Sequence, residues 1–99
     1  SATKPYDAGW YKVGRFAGAL DFPSIAAHSY ADLTIAASGA AFNDFVSFAK
    51  SGGALASEGI MYSAFVSAAD TVTVRAFNIT TGAIDPSAFT GLALVVRAT

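Results

Sequence analysis

ADTVTVRAFNIT, Ala69 to Thr80, places Val72, Val74 and Ala76 on one side and Thr71, Thr73, Arg75 and Phe77 on the other. Strict alternation of this kind is the signature of a β-strand with two unlike faces. The preceding run, GIMYSAFVSA (Gly59 to Ala68), sets Ile60, Tyr62, Ala64 and Val66 against Met61, Ser63, Phe65 and Ser67. HSYADLTIAA (His28 to Ala37) sets Tyr30, Asp32, Thr34 and Ala36 against Ala31, Leu33, Ile35 and Ala37. LALVVRA (Leu92 to Ala98) opposes Leu92, Leu94 and Val96 to Ala93, Val95 and Arg97. Earlier runs, GRFAGALDF (Gly14 to Phe22) and SGAAFNDFVSFA (Ser38 to Ala49), are followed by Pro23 and by the KSGG turn. TTG (Thr80 to Gly82) and DPSAFTG (Asp85 to Gly91) separate the last strands.

Six to eight short strands spaced about 8–12 residues apart predict an all-β, antiparallel β-sandwich, jelly-roll-like. Alanine favours helix, so a helix over residues 36–50 competes. Ser38, Gly39, Asn43 and the nearby Phe and Val residues leave room for one helical turn and no more. The stretch from Ser1 to Lys12 mixes Pro5 and Gly9 with Tyr6, Trp10 and Tyr11, and reads as an extended N-terminal arm. Residues 13–99 then form a single sandwich domain. No apolar signal-like segment opens the chain. Ser1 suits removal of an initiator Met, although a trimmed chain would look the same.

Composition narrows the function. The chain has 99 residues, 54% of them hydrophobic and 13% charged, with net charge −1 and no cysteine. An average soluble domain is about 25% charged. Disorder is excluded by the hydrophobicity, and six scattered cations cannot track a nucleic-acid backbone. Disulfides and thiolate chemistry are excluded with cysteine, and no run of about 20 apolar residues suits a membrane helix. Alanine accounts for 22 residues, which raises the apolar share without adding core volume. Strands apolar on both faces, with few charges to solvate either, point to surfaces that other subunits cover.

No group of residues forms a catalytic site. His28 is the single histidine, and its neighbours Ser29 and Asp32 are too close in sequence for triad geometry. The acids Asp21, Asp32, Asp44, Glu58, Asp70 and Asp85 are spread singly beside turns, where carboxylates bond backbone amides without any ion. Calcium would need a loop of alternating acids, which is absent. The chain is therefore expected to be no enzyme, with no metal and no cofactor. Asn78-Ile79-Thr80 fits a glycosylation acceptor, but it sits at a strand end with no secretory signal beside it. Arg75 and Arg97 lie among apolar strand residues. They either discourage edge pairing or join a subunit interface, by an intersubunit ion pair or an aromatic stack with Phe77 or a tyrosine.

The order of the pieces carries a resemblance. Leu20 to Ile25 reads L-D-F-P-S-I; Gly39, Ala40, Asp44, Phe45 and Val46 follow; then come Val66 to Arg75, Asn78 to Thr80, and the I-D-P turn at Ile84 to Pro86. Together they cover about residues 19–97. They resemble a small β-sandwich domain of tailed-bacteriophage virion proteins, found on head or tail fibres and as short stand-alone proteins. One departure is Asn43, where a more glycine-like residue is expected; Asn tolerates a positive φ.

The resemblance implies a homotrimeric virion structural protein, made in the host cytoplasm and displayed on the capsid exterior. A fibre needs a stalk, and a twelve-residue arm supplies none, so the expectation is a capsid decoration (cement) protein. Its partners would be itself and the major capsid protein or another virion protein, with no nucleic acid and no membrane. Tyr6, Trp10 and Tyr11 would anchor the arm. The alternative is the tip domain of a tail or head fibre, binding host glycans through exposed aromatics. A small hydrolase is a third class, with no supporting residues.

Overall fold

The computed structural model describes residues 10–51, 56–57 and 59–98. These form seven strands and, among the described residues, no helix: β1 (Trp10–Leu20), β2 (Tyr30–Ala36), β3 (Phe45–Lys50), β4 (Ala56–Ser57), β5 (Ile60–Ala68), β6 (Thr71–Asn78) and β7 (Phe89–Ala98). They build two antiparallel sheets, one ordered β1-β7-β3 and the other β2-β6-β5-β4. Four of the six connections pass from one sheet to the other, the wiring of a jelly-roll-like sandwich. The expected all-β sandwich is the observed architecture.

Alternation explains which side of each strand is inside. Ile35, Ile60, Val66, Val72, Val74 and Ala76 from one sheet meet Leu20, Ala93 and Val95 from the other, all buried. Phe22 and Ile25 close the core between β1 and β2. At one end the filling is aromatic. Tyr62 packs edge-on to Phe89 with centroids 5.1 Å apart, and Phe22 stacks on Phe89 at 6.2 Å. Gly91, the third residue of β7, makes this possible. A Cβ there would lie 2.6 Å from Leu20 Cδ1 and 2.9 Å from the Phe48 ring.

Alanine-rich residues 36–50 form no helix: Ala36 ends β2, residues 37–44 turn, and Phe45–Lys50 is β3. Gly39 (φ 94°) and Asn43 (φ 75°) adopt left-handed conformations, which interrupt any helical ladder. Asn43 thus accommodates the positive φ expected of it. Pro23 falls three residues beyond the end of β1. The first residues of β1 overlap the expected arm: Trp10, Tyr11 and Lys12 pair with Ala98, Arg97 and Val96, and a bulge follows between Lys12 and Gly14.

Asn78 is the buried polar centre of the fold, 0% exposed. Its Nδ2 donates to the carbonyls of Ile25 (2.9 Å) and Gly82 (2.8 Å). Its Oδ1 accepts from the Thr80 amide (2.8 Å) and hydroxyl (2.7 Å). All four bonding positions of the amide are used. The nitrogen that glycosylation would modify is sealed inside, which agrees with reading Asn78-Ile79-Thr80 as structural.

Candidate functional site

The sandwich exposes two outer sheet faces, and both carry large apolar side chains. Register builds the first, on β2-β6-β5, row by row. Phe77 of β6 lies between Tyr30 and Met61; Arg75 lies between Asp32 and Ser63; Thr73 lies between Thr34 and Phe65. Tyr30 is 55% exposed, Met61 50% and Phe77 37%. Arg75 is the hub. Its Nε and Nη2 hold the Asp32 carboxylate at 2.9 and 3.0 Å, a bidentate pair across two strands. Its guanidinium also lies over the Tyr30 ring at 4.2 Å and the Phe65 ring at 5.3 Å. Hydrogen bonding to Arg75 holds the Asp32 carboxyl below its ordinary value, against a smaller opposing push from burial. The result is an aromatic surface on which the one ion pair among the described residues is closed within the chain.

The second face, on β1-β7-β3, is apolar in a different way. Leu94 is flanked by Arg15 and Ser47, and Leu92 by Ala17 and Ala49. Short side chains beside the leucines leave a depression of about 450 Å³ along this face. Val96 continues the row between Lys12 and the exposed Phe45.

Arg97 belongs to neither face. It sits near the end of β7 on the core side and reaches across to the loop between β2 and β3. Its Nε and Nη2 each donate to Asp44 at 2.7 Å, Nη2 also to the Gly39 carbonyl at 2.8 Å, and Nη1 to the Tyr11 hydroxyl at 3.1 Å. The Asp44 side chain is 2% exposed and also accepts from the Ala41 amide. Hydrogen bonding to Arg97 is the main cause that holds its carboxyl below the ordinary value.

Of the six residues singled out in the sequence, the structure brings Tyr11 to Arg97 and puts Arg75 and Phe77 on one face. The ion pairs of Arg75 and Arg97 are both made within the chain. Tyr6 lies outside the described residues. Sequence reasoning placed Tyr30, Asp32, Met61 and Phe65 correctly on strand faces but did not join them to Arg75. It left Arg15, Leu92 and Leu94 without a role.

The remaining polar residues act as turn ties. Asp70, in a left-handed turn, accepts from the Gly39 amide at 2.8 Å, and its own amide donates to the Ala40 carbonyl. His28 is exposed in a turn at φ 54°. The Ser29 hydroxyl beside it donates to the Ala27 carbonyl, away from any triad. Among the described residues no three His, Cys, Asp or Glu side chains gather as metal ligands. No helix among them is long and apolar enough to cross a membrane. No protein-family model, curated protein or solved structure matches the chain.

Proposed function

We propose that the protein is a structural subunit that works only in an assembly, and specifically a trimeric decoration protein on the exterior of a bacteriophage capsid. The observation that carries the assembly reading is the pair of outer sheet faces with exposed large apolar side chains, where a sandwich working alone would present charge. The phage assignment rests on the order of strand and turn motifs from Leu20 to Arg97. In a trimer, the neutral aromatic face around Arg75 and Phe77 is suited to contacts between copies. Its Asp32–Arg75 pair is already closed, so copies gathered about a three-fold axis bring no bare charge together. Tyr6, Trp10 and Tyr11 serve as lattice anchors, and three such footprints on one trimer bind far more tightly than one.

Two mass measurements test this. Native mass spectrometry should return three times the chain mass, and quantitative proteomics of purified particles should return hundreds of copies. A monomer at micromolar concentration would overturn the trimer. A handful of copies per particle would overturn decoration in favour of the fibre-tip reading.

A further inference from the structure

The two outer faces differ in charge, and that difference identifies what the second one binds. On the β1-β7-β3 face the described residues include two cations, Lys12 and Arg15, both exposed, and no acid. Neither makes an ion pair among the described residues, whereas Arg75 and Arg97 are each closed by an aspartate. Arg15 and Ser47 flank Leu94 from the two neighbouring strands, and both line the depression. Leu92 and Leu94 line it with them. A guanidinium and a hydroxyl at the rim of an apolar trough match a carboxylate carried next to a large apolar side chain.

We propose that this face is a docking surface for an extended acidic segment of a partner protein. One apolar side chain of that segment fills the depression over Leu92 and Leu94, and a carboxylate sits on Arg15 within reach of Lys12. Alternate residues of an extended chain point the same way, so the recognised pattern is an acid two positions from an apolar residue. The inference rests on the assembly reading and names the side that faces the other protein.

A second copy of the chain is the poorer occupant. Laid face to face, two copies would set Lys12 and Arg15 against themselves. The described acids do not fit the depression either. Asp32 and Asp44 are held by arginines, and Asp70 is tied to Gly39. Asp21 lies between the buried Leu20 and Phe22, and Asp85 adjoins the half-buried Ile84 and the buried Pro86. Neither Asp21 nor Asp85 offers a large exposed apolar neighbour.

The test is titration of the isotope-labelled full chain with a blocked peptide, Thr-Asp-Thr-Leu-Thr, up to millimolar concentration, read by amide NMR shifts. Controls replace its Asp by Asn or its Leu by Ala. The expected shifts are centred on Arg15, Ala17, Ser47, Ala49, Leu92 and Leu94. The Asn peptide and the Arg15→Ala protein should each bind about fivefold more weakly, the scale of a lost exposed charged contact. Spectral dispersion of the variant reports that it is folded. No response, equal binding of the Asp and Asn peptides, or shifts centred on Tyr30 and Phe77 would overturn the proposal. A trimeric mass with no peptide response would sink the docking surface alone. A monomer that still discriminates the peptides would sink the trimer alone.

Discussion

Arg97 and Asp44, 53 residues apart in the chain, meet through two 2.7 Å hydrogen bonds that fasten the end of β7 to the β2–β3 loop. Tyr11 and Gly39 complete the junction, so strands β1 and β7 and this loop converge on one guanidinium.

Acid should loosen that junction. Because Arg97 depresses the folded-state pKa of Asp44, its contribution to stability is complete above the ordinary carboxylate value of 3.8 and is lost as pH falls through the lower folded-state value. Thermal melts between pH 6 and pH 2 should show Tm level at the upper end and falling below about pH 4. Asp44→Asn should lower Tm at pH 6 and flatten the acid limb. Asp32 contributes in the same direction through Arg75, so some slope should survive in the variant. A variant with an unchanged acid limb would show that the pair adds nothing.

Asn78→Ala should be among the most damaging single changes. It takes one donor each from the Ile25 and Gly82 carbonyls, which keep the Ile84 amide and the Thr80 hydroxyl, empties a fully buried site and removes the acceptor for Thr80. A cost of about 3 kcal/mol is expected, lowering Tm by roughly 10–20 °C. Denaturant melts measure it directly, and a loss below about 1 kcal/mol would mean that water replaces the amide.

Gly91→Ala tests the packing of the aromatic end. A methyl group there must displace Leu20 or the Phe48 ring, and overpacking of this sort costs about 1–3 kcal/mol. Near-ultraviolet circular dichroism should weaken as the cluster of Phe22, Phe48, Tyr62 and Phe89 loosens. Ala93→Gly, on the same strand, would not crowd these rings and serves as the control.

Phe77→Glu should separate association from folding. The side chain is already exposed, so the monomer keeps its core, while a charge amid Tyr30 and Met61 opposes contact between copies. Light scattering should show the trimer shifted toward monomer, with the far-ultraviolet spectrum unchanged. A trimer that withstands Phe77→Glu would move the self-contact elsewhere.

What could be read from the sequence divides along the distance between partners. The β5–β6 hairpin is local: alternation gave the faces of both strands, although the turn at Ala69-Asp70 was not marked. Pairings across many residues left no trace in composition. Nothing near Asp32 announces Arg75, 43 residues on, and nothing near Arg15 announces Leu94, because register between remote strands is set by the whole core. Arg75 and Arg97 looked alike as cations among apolar strand residues. Their positions, one on an open face and one across a sheet end, follow from opposite side-chain parity in strands of different sheets.

Residues 89–98 have a consequence for how the polypeptide is made. β1 and β3 are not neighbours; among the described residues each finds its ladder on β7, which lies between them. Until those residues leave the ribosome, two strands translated long before have no backbone partner. The nascent chain therefore reaches this point with open hydrogen-bonding edges, in the state most vulnerable to pairing with another copy. Sparse charge makes that interval more hazardous, and closure around β7 is what ends it.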